Sequence, residues 1–119
     1  MIAGVASFVM NNNGDFNQPI TVSAGGVPMD FTGYEAKMSI GDQRPPTVIY
    51  HTLNSTGMNP EITFPSPTMG HILLALPESV THTFTFTNAV YDLILMPPGG
   101  GDLVFLQGNI TLVQGVTTP

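Results

Sequence analysis

Val90 to Gln114, VYDLILMPPGGGDLVFLQGNITLVQ, reads as two apolar strands joined by a turn that cannot be helical. Pro97-Pro98 stops the first strand, because proline donates no ladder hydrogen bond and restricts the residue before it. Gly99-Gly100-Gly101-Asp102 supplies the freedom in φ needed to reverse the chain. On the return strand Val104, Leu106, Ile110 and Leu112 share one parity and Gln107, Asn109 and Thr111 the other, the period of a half-buried strand. Gly108 within that strand predicts a bulge or a close backbone approach. Tyr91 and Leu93 are expected to face the core, leaving Asp92 outside or bonded to a neighbouring loop.

The same punctuation runs through the chain. Eleven prolines and thirteen glycines in 119 residues suit many short strands and no long helix. Val5–Met10 is a first strand, followed by a turn over Asn11-Asn12-Asn13-Gly14-Asp15. Phe16–Ser23 is a second strand, placed near an edge by Pro19, and Ala24–Pro28 the next reversal. Tyr34, Ala36, Met38 and Ile40 alternate with Glu35, Lys37 and Ser39, the clearest strand pattern in the sequence. Gly41–Pro46 is a loop carrying Arg44, and Asp30 before Thr32-Gly33 suits a turn in which its carboxylate accepts backbone N–H bonds. Thr47–Leu53 and Ile62–Phe64 are strands, and His71–Leu76, apolar at both parities, is expected to be buried on both sides. Pro77–Thr81 opens as a helical turn. Thr81–Thr87 alternates threonine with His82, Phe84 and Phe86 and is expected to continue as a strand.

The expected fold is all-β: one antiparallel, immunoglobulin-like β-sandwich of about seven to eight short strands over residues 1–119, with a polar tail at 115–119. A small β-barrel is the alternative.

Charge limits the function. Two basic residues, Lys37 and Arg44, stand against eight carboxylates, for a net charge of −6. Charged residues make up 8% of the chain, where about 25% is ordinary. Two cations cannot build the footprint that nucleic acid requires. Low charge with 42% hydrophobic residues marks a surface that packs against partners. The chain has no cysteine, which closes disulfide and thiol chemistry. No apolar run reaches the ~20 residues of a membrane span, and Met1–Met10 lacks the basic flank and cleavage site of a signal peptide.

Chemistry is hard to find in the pattern. His51, His71 and His82 have no spacing that preorganises metal ligands on one element, and the Asn11–Asp15 turn lacks the acidic ligands of a calcium loop. Glu35, Glu61, Glu78 and Asp92 carry no context that marks a catalytic pair. No G-x-S-x-G elbow is present, and the Gly99–Gly101 run enters a strand rather than a helix N-terminus. The expectation is no catalysis, no cofactor and no metal. The uncharged Thr81–Thr87 stretch is the candidate partner-docking strand, through Thr81, Thr83, Phe84, Thr85, Phe86 and Thr87, since an edge strand without charge invites strand addition.

Three segments carry a resemblance. Gly26–Ile40, GVPMDFTGYEAKMSI, is similar to a G-x-P-x-D-L-T-G-Y-x-A-x-M-x-I stretch, with Phe31 where leucine is usual. Tyr91–Leu95 is similar to a Y-D-L-x-L strand, and Leu106–Leu112 with Val116-Thr117 to an ending L-x-G-x-V-x-V…V-T. In that order they resemble small β-sandwich proteins of tailed bacteriophages, some of them virion proteins and some amino-terminal modules of baseplate or receptor-binding components. The resemblance implies a non-enzymatic structural component of the virion, packed against other virion proteins and copies of itself in tail, baseplate or neck. It also implies assembly in the host cytoplasm. Capsid decoration, or a receptor- or carbohydrate-binding module using an exposed aromatic such as Tyr50, are the alternatives.

Overall fold

The computed structural model describes residues 4–12 and 14–113. Asn13, Gln114, the tail at 115–119 and the first three residues of the Met1–Met10 stretch lie outside them. The strands are β1 (Gly4–Val5), β2 (Phe8–Asn11), β3 (Phe16–Thr21), β4 (Ser23–Ala24), β5 (Val27–Pro28), β6 (Glu35–Gly41), β7 (Ile49–Asn54), β8 (Ile62–Thr63), β9 (His71–Leu76), β10 (Asn88–Met96) and β11 (Leu103–Val113). One helical turn, α1 (Glu78–Thr81), and a 3-10 turn at Pro67–Met69 interrupt them.

These strands form a β-sandwich. One sheet runs β1-β11-β10-β6-β7, with β2 also on β11; the other runs β3-β9-β8, and β4-β5 is a separate hairpin. The two sheets do not share strands, so the sandwich rather than the closed barrel is the architecture. Period-2 alternation aims one face of each strand inward. Ala36, Met38 and Ile40 of β6 and Ala89, Tyr91, Leu93 and Leu95 of β10 meet Ile72, Leu74 and Leu76 of β9 in a common core. Each such aliphatic side chain contributes about 1.5–3 kcal/mol by leaving water.

The hairpin at the centre forms as read: β10 and β11 pair antiparallel from Asn88↔Thr111 to Leu95↔Leu103. Its parity departs from expectation. Leu93 pairs with Leu106 but Ile94 with Val104, leaving Phe105 unpaired as a bulge. The extra residue resets the alternation, so Phe105 rather than Val104 is buried, against Phe31, before Gly108, Ile110 and Leu112 take the inward positions. The bulge therefore lies at Phe105, while Gly108 is the site of close backbone approach.

Three further expectations are corrected. The sandwich is not purely antiparallel, because β1 and β2 both run parallel to β11. The chain leaves β2 for β3 in the opposite sheet instead of turning back in a hairpin, so nothing forces an antiparallel start. The Val5–Met10 strand is broken at Ala6-Ser7 between β1 and β2. β9 is buried on one face only: His71, Leu73 and Ala75 stay half-exposed, since among the described residues no layer covers the outside of the three-stranded sheet.

Candidate interaction surface

The docking strand expected over Thr81–Thr87 is not formed. Thr81 closes α1, and the bonds Val80 N–H to the Pro77 carbonyl (2.9 Å), His82 N–H to Glu78 (2.9 Å) and Phe84 N–H to Thr81 (3.1 Å) carry the turn past the point where a strand would begin. Thr81 is fully buried, its hydroxyl donating to the Gly14 carbonyl at 2.8 Å. Thr83, Thr85 and Thr87 are exposed, while Phe84 and Phe86 plug the core at 5% and 7% exposure. The Thr/Phe alternation thus records an irregular link with its aromatics turned inward, and it is not a strand of either sheet.

The uncharged edge lies instead on β7, the end strand of the larger sheet. Val48, Ile49 and Tyr50 are consecutive and exposed at 49%, 47% and 37%. No residue from Val48 to Asn54 carries a fixed charge, although the carboxylates of Glu61 and Asp42 reach the segment at His51 and at the Val48 N–H. Phe86 stacks beneath Tyr50, with centroids 4.7 Å apart and planes 23° apart. One face of this tyrosine is therefore occupied by Phe86. Sequence reading took this segment as an ordinary strand; the Val-Ile-Tyr run was its only local signal, and the edge position comes from the sheet order.

Several ionisable groups are committed to the fold. Arg44 Nε donates to Asp92 Oδ1 at 3.0 Å, and Nη2 donates to the carbonyls of Tyr91 and Gly108. Asp92 is thus bonded to a neighbouring loop, and the only arginine is folded back onto the chain beside a niche of about 50 Å³. Lys37, on β6, is exposed. Asp30 accepts the Thr32 N–H at 2.9 Å and the Thr32 hydroxyl; the hydroxyl bond first, then the backbone bond, holds its pKa below the usual carboxylate value. Asp42 accepts N–H bonds from Val48 (3.0 Å) and Thr47 (2.8 Å), and that from Val48 does most to lower its pKa. His51 Nε2 meets Glu61 Oε1 at 2.8 Å, and His82 Nδ1 lies 3.8 Å from Glu78 Oε1. Among the described residues no three His, Asp or Glu side chains gather as metal ligands would.

The best-built docking geometry seats the chain's own first strands. Ala6 N–H donates to the Gln107 carbonyl at 2.9 Å, and the Ala6 carbonyl accepts the Tyr91 hydroxyl at 2.7 Å. Phe8 stacks on Tyr91 with centroids 5.1 Å apart, and Met10 is 1% exposed. A Cβ at Gly108 would occupy the Ala6 carbonyl, so the absence of a side chain there is what lets the segment reach β11. Burial pushes the Tyr91 phenol up to about 12.

No protein-family model matches the sequence, and no curated protein matches it. Among solved structures, the chain is similar to the extracellular domain of the voltage-gated sodium channel β4 subunit. That match has 14% identity and a TM-score of 0.45 and covers 94% of this chain and 93% of that one. The β4 domain is described as a parallel homodimer with a role in cell–cell adhesion. A second structure, from work on multimeric cell-adhesive interactions of voltage-gated sodium channel β subunits, has 14% identity and a TM-score of 0.44, covering 92% of each chain.

Proposed function

We propose that this protein is a non-enzymatic structural subunit of a tailed-phage particle, packed against other virion proteins and against copies of itself in the tail, baseplate or neck. The observation that carries the packing role is the apolar end of the larger sheet: Val48, just before β7, and Ile49 and Tyr50 on it are exposed in a chain of which only 8% is charged. A solvated monomer protects such an edge with charge or cover. The attribution to a phage particle rests on the three resembling segments. They form β5–β6, β10 and β11, and β6, β10 and β11 lie side by side at the centre of one sheet.

Light scattering behind size exclusion, over a concentration series, tests the reading. A discrete oligomer of defined order is expected. A particle of 12.6 kDa at every concentration removes self-assembly from the proposal. An Ile49→Asp variant that leaves the oligomer intact removes β7 from it.

A further inference from the structure

We infer that the groove along β11 is a strand receptor, and that its second occupant is the Gly4–Asn11 segment of another copy of this chain. The inference rests on the assembly reading above and adds a means of exchange to it.

The segment and its seat are made for one another. Gly108 leaves room for the Ala6 carbonyl, Tyr91 donates to that carbonyl, and Phe8 stacks on the Tyr91 ring. Beyond the strand ladder, Ala6 N–H to Gln107 between β1 and β2 and Asn12 N–H to Val113 (3.1 Å) just after β2 add bonds to β11. Strand pairing from this segment goes to β11 alone, whereas the chain that follows it, β3, pairs with β9 in the opposite sheet. The far side of the connection is anchored independently. Glu78 N–H bonds the Asp15 carboxylate at 2.7 Å, and the Thr81 hydroxyl bonds the Gly14 carbonyl at 2.8 Å. The strand can leave its seat while β3 and α1 keep theirs.

Charge permits the exchange. Gly4–Asn11 and Leu103–Val113 contain no ionisable side chain, so no like charges face each other between the strand and β11. An exchanged strand makes in trans the contacts it makes in cis, which is why swapping an identical element is a low-cost route to association. The balance is then set by how the local concentration of copies compares with the effective concentration of the tethered strand, of millimolar order for a short link. Crowding of subunits in an assembly moves it towards exchange.

The test uses the absence of cysteine. Val9 and Thr111 are paired across the β2–β11 ladder and both are exposed. Full-length Val9→Cys and full-length Thr111→Cys proteins are mixed at high concentration, incubated and oxidised. Exchange predicts disulfides joining one variant to the other in several-fold excess over the statistical mixture with like-with-like pairs. The double variant, carrying both cysteines, is expected to close within a monomer when oxidised at once in dilute solution. Failure of that closure, or a merely statistical mixture from the singles, overturns the inference. Light scattering on the same mixtures separates the two readings. Oligomers without the mixed disulfide leave assembly standing through another surface and sink exchange; monomers without it sink both.

Discussion

The carbonyl of Ala6 occupies the space in which a side chain on Gly108 would begin. Gly108 lies at ordinary negative φ, unlike the turn glycines Gly25, Gly26 and Gly100. Its requirement is therefore room and not backbone freedom.

Gly108→Ala is expected to loosen β1 and β2 from β11. Overfilling a closed site costs about 1–3 kcal/mol, read as a lower urea midpoint. Amide exchange of Phe8–Asn11 should speed up more than that of β6 or β10. Unchanged exchange over Phe8–Asn11 would show that the Ala6 contact does not hold the segment.

Tyr91→Phe removes the hydroxyl that bonds Ala6 while keeping the ring under Phe8. A loss of about 1 kcal/mol is expected. In the native protein the Tyr91 phenol ionises at about 12, above its ordinary 10.0, because burial disfavours the phenolate. A raised pKa means that the folded state binds the proton more tightly than the unfolded chain. The stabilisation is complete below the unfolded value and is lost as pH rises from about 10 towards 12. Absorbance titration of wild type against Tyr91→Phe should show the missing late-ionising phenol.

Arg44→Lys should cost about 0.5–1.5 kcal/mol, since an ammonium cannot span Asp92 and the carbonyls of Tyr91 and Gly108 with a planar fork. Asp92→Asn is expected to cost less, about 0.5 kcal/mol at most, because both partners are more than a third exposed and screened by water. Denaturant midpoints of the two variants decide this; a larger effect for Asp92→Asn would place the weight on the ion pair.

Acid should weaken the two turns held by Asp30 and Asp42. Both carboxylates have folded pKa values below the ordinary 3.8. Their contribution is present above the unfolded value and is lost as pH falls through the folded one. Stability of the wild type should therefore drop below about pH 4 more steeply than that of Asp42→Ala, measured by thermal unfolding between pH 5 and pH 2.

Phe86→Ala should cost about 3–5 kcal/mol, as truncation of a buried aromatic does, and should release Tyr50 from its stack. Thr85→Asp, at an exposed position, should change stability by no more than about 0.5 kcal/mol and leave self-association intact. Loss of the oligomer in Thr85→Asp would return partner docking to Thr81–Thr87.

The all-β character, the β10–β11 hairpin, β6, the Asp30 turn and the small helix at Pro77 were legible because each rests on local chemistry. Alternating Ala36, Met38 and Ile40 can bury one face only as a strand, and Pro97-Pro98 followed by three glycines can only turn. The inward faces of Tyr91 and Leu93 follow from the same period. Thr81–Thr87 misled because alternation of Phe84 and Phe86 arises equally from an irregular link that tucks Phe86 under Tyr50 and Phe84 against His51. Local period does not tell a ladder strand from such a link.

The sequence by itself determined where strands and turns fall and which side of most strands is apolar, since those depend on φ, on missing N–H groups and on side-chain period. It also restricted the chemistry, through two cations and no cysteine. Tertiary structure alone decided that β1 and β2 run parallel to β11, that Phe105 is the bulge and that β7 is the exposed edge. It also decided that Arg44 reaches Asp92 and that Gly108 receives Ala6. Each of these joins residues far apart in the chain, and only packing of the two sheets selects which distant segments meet.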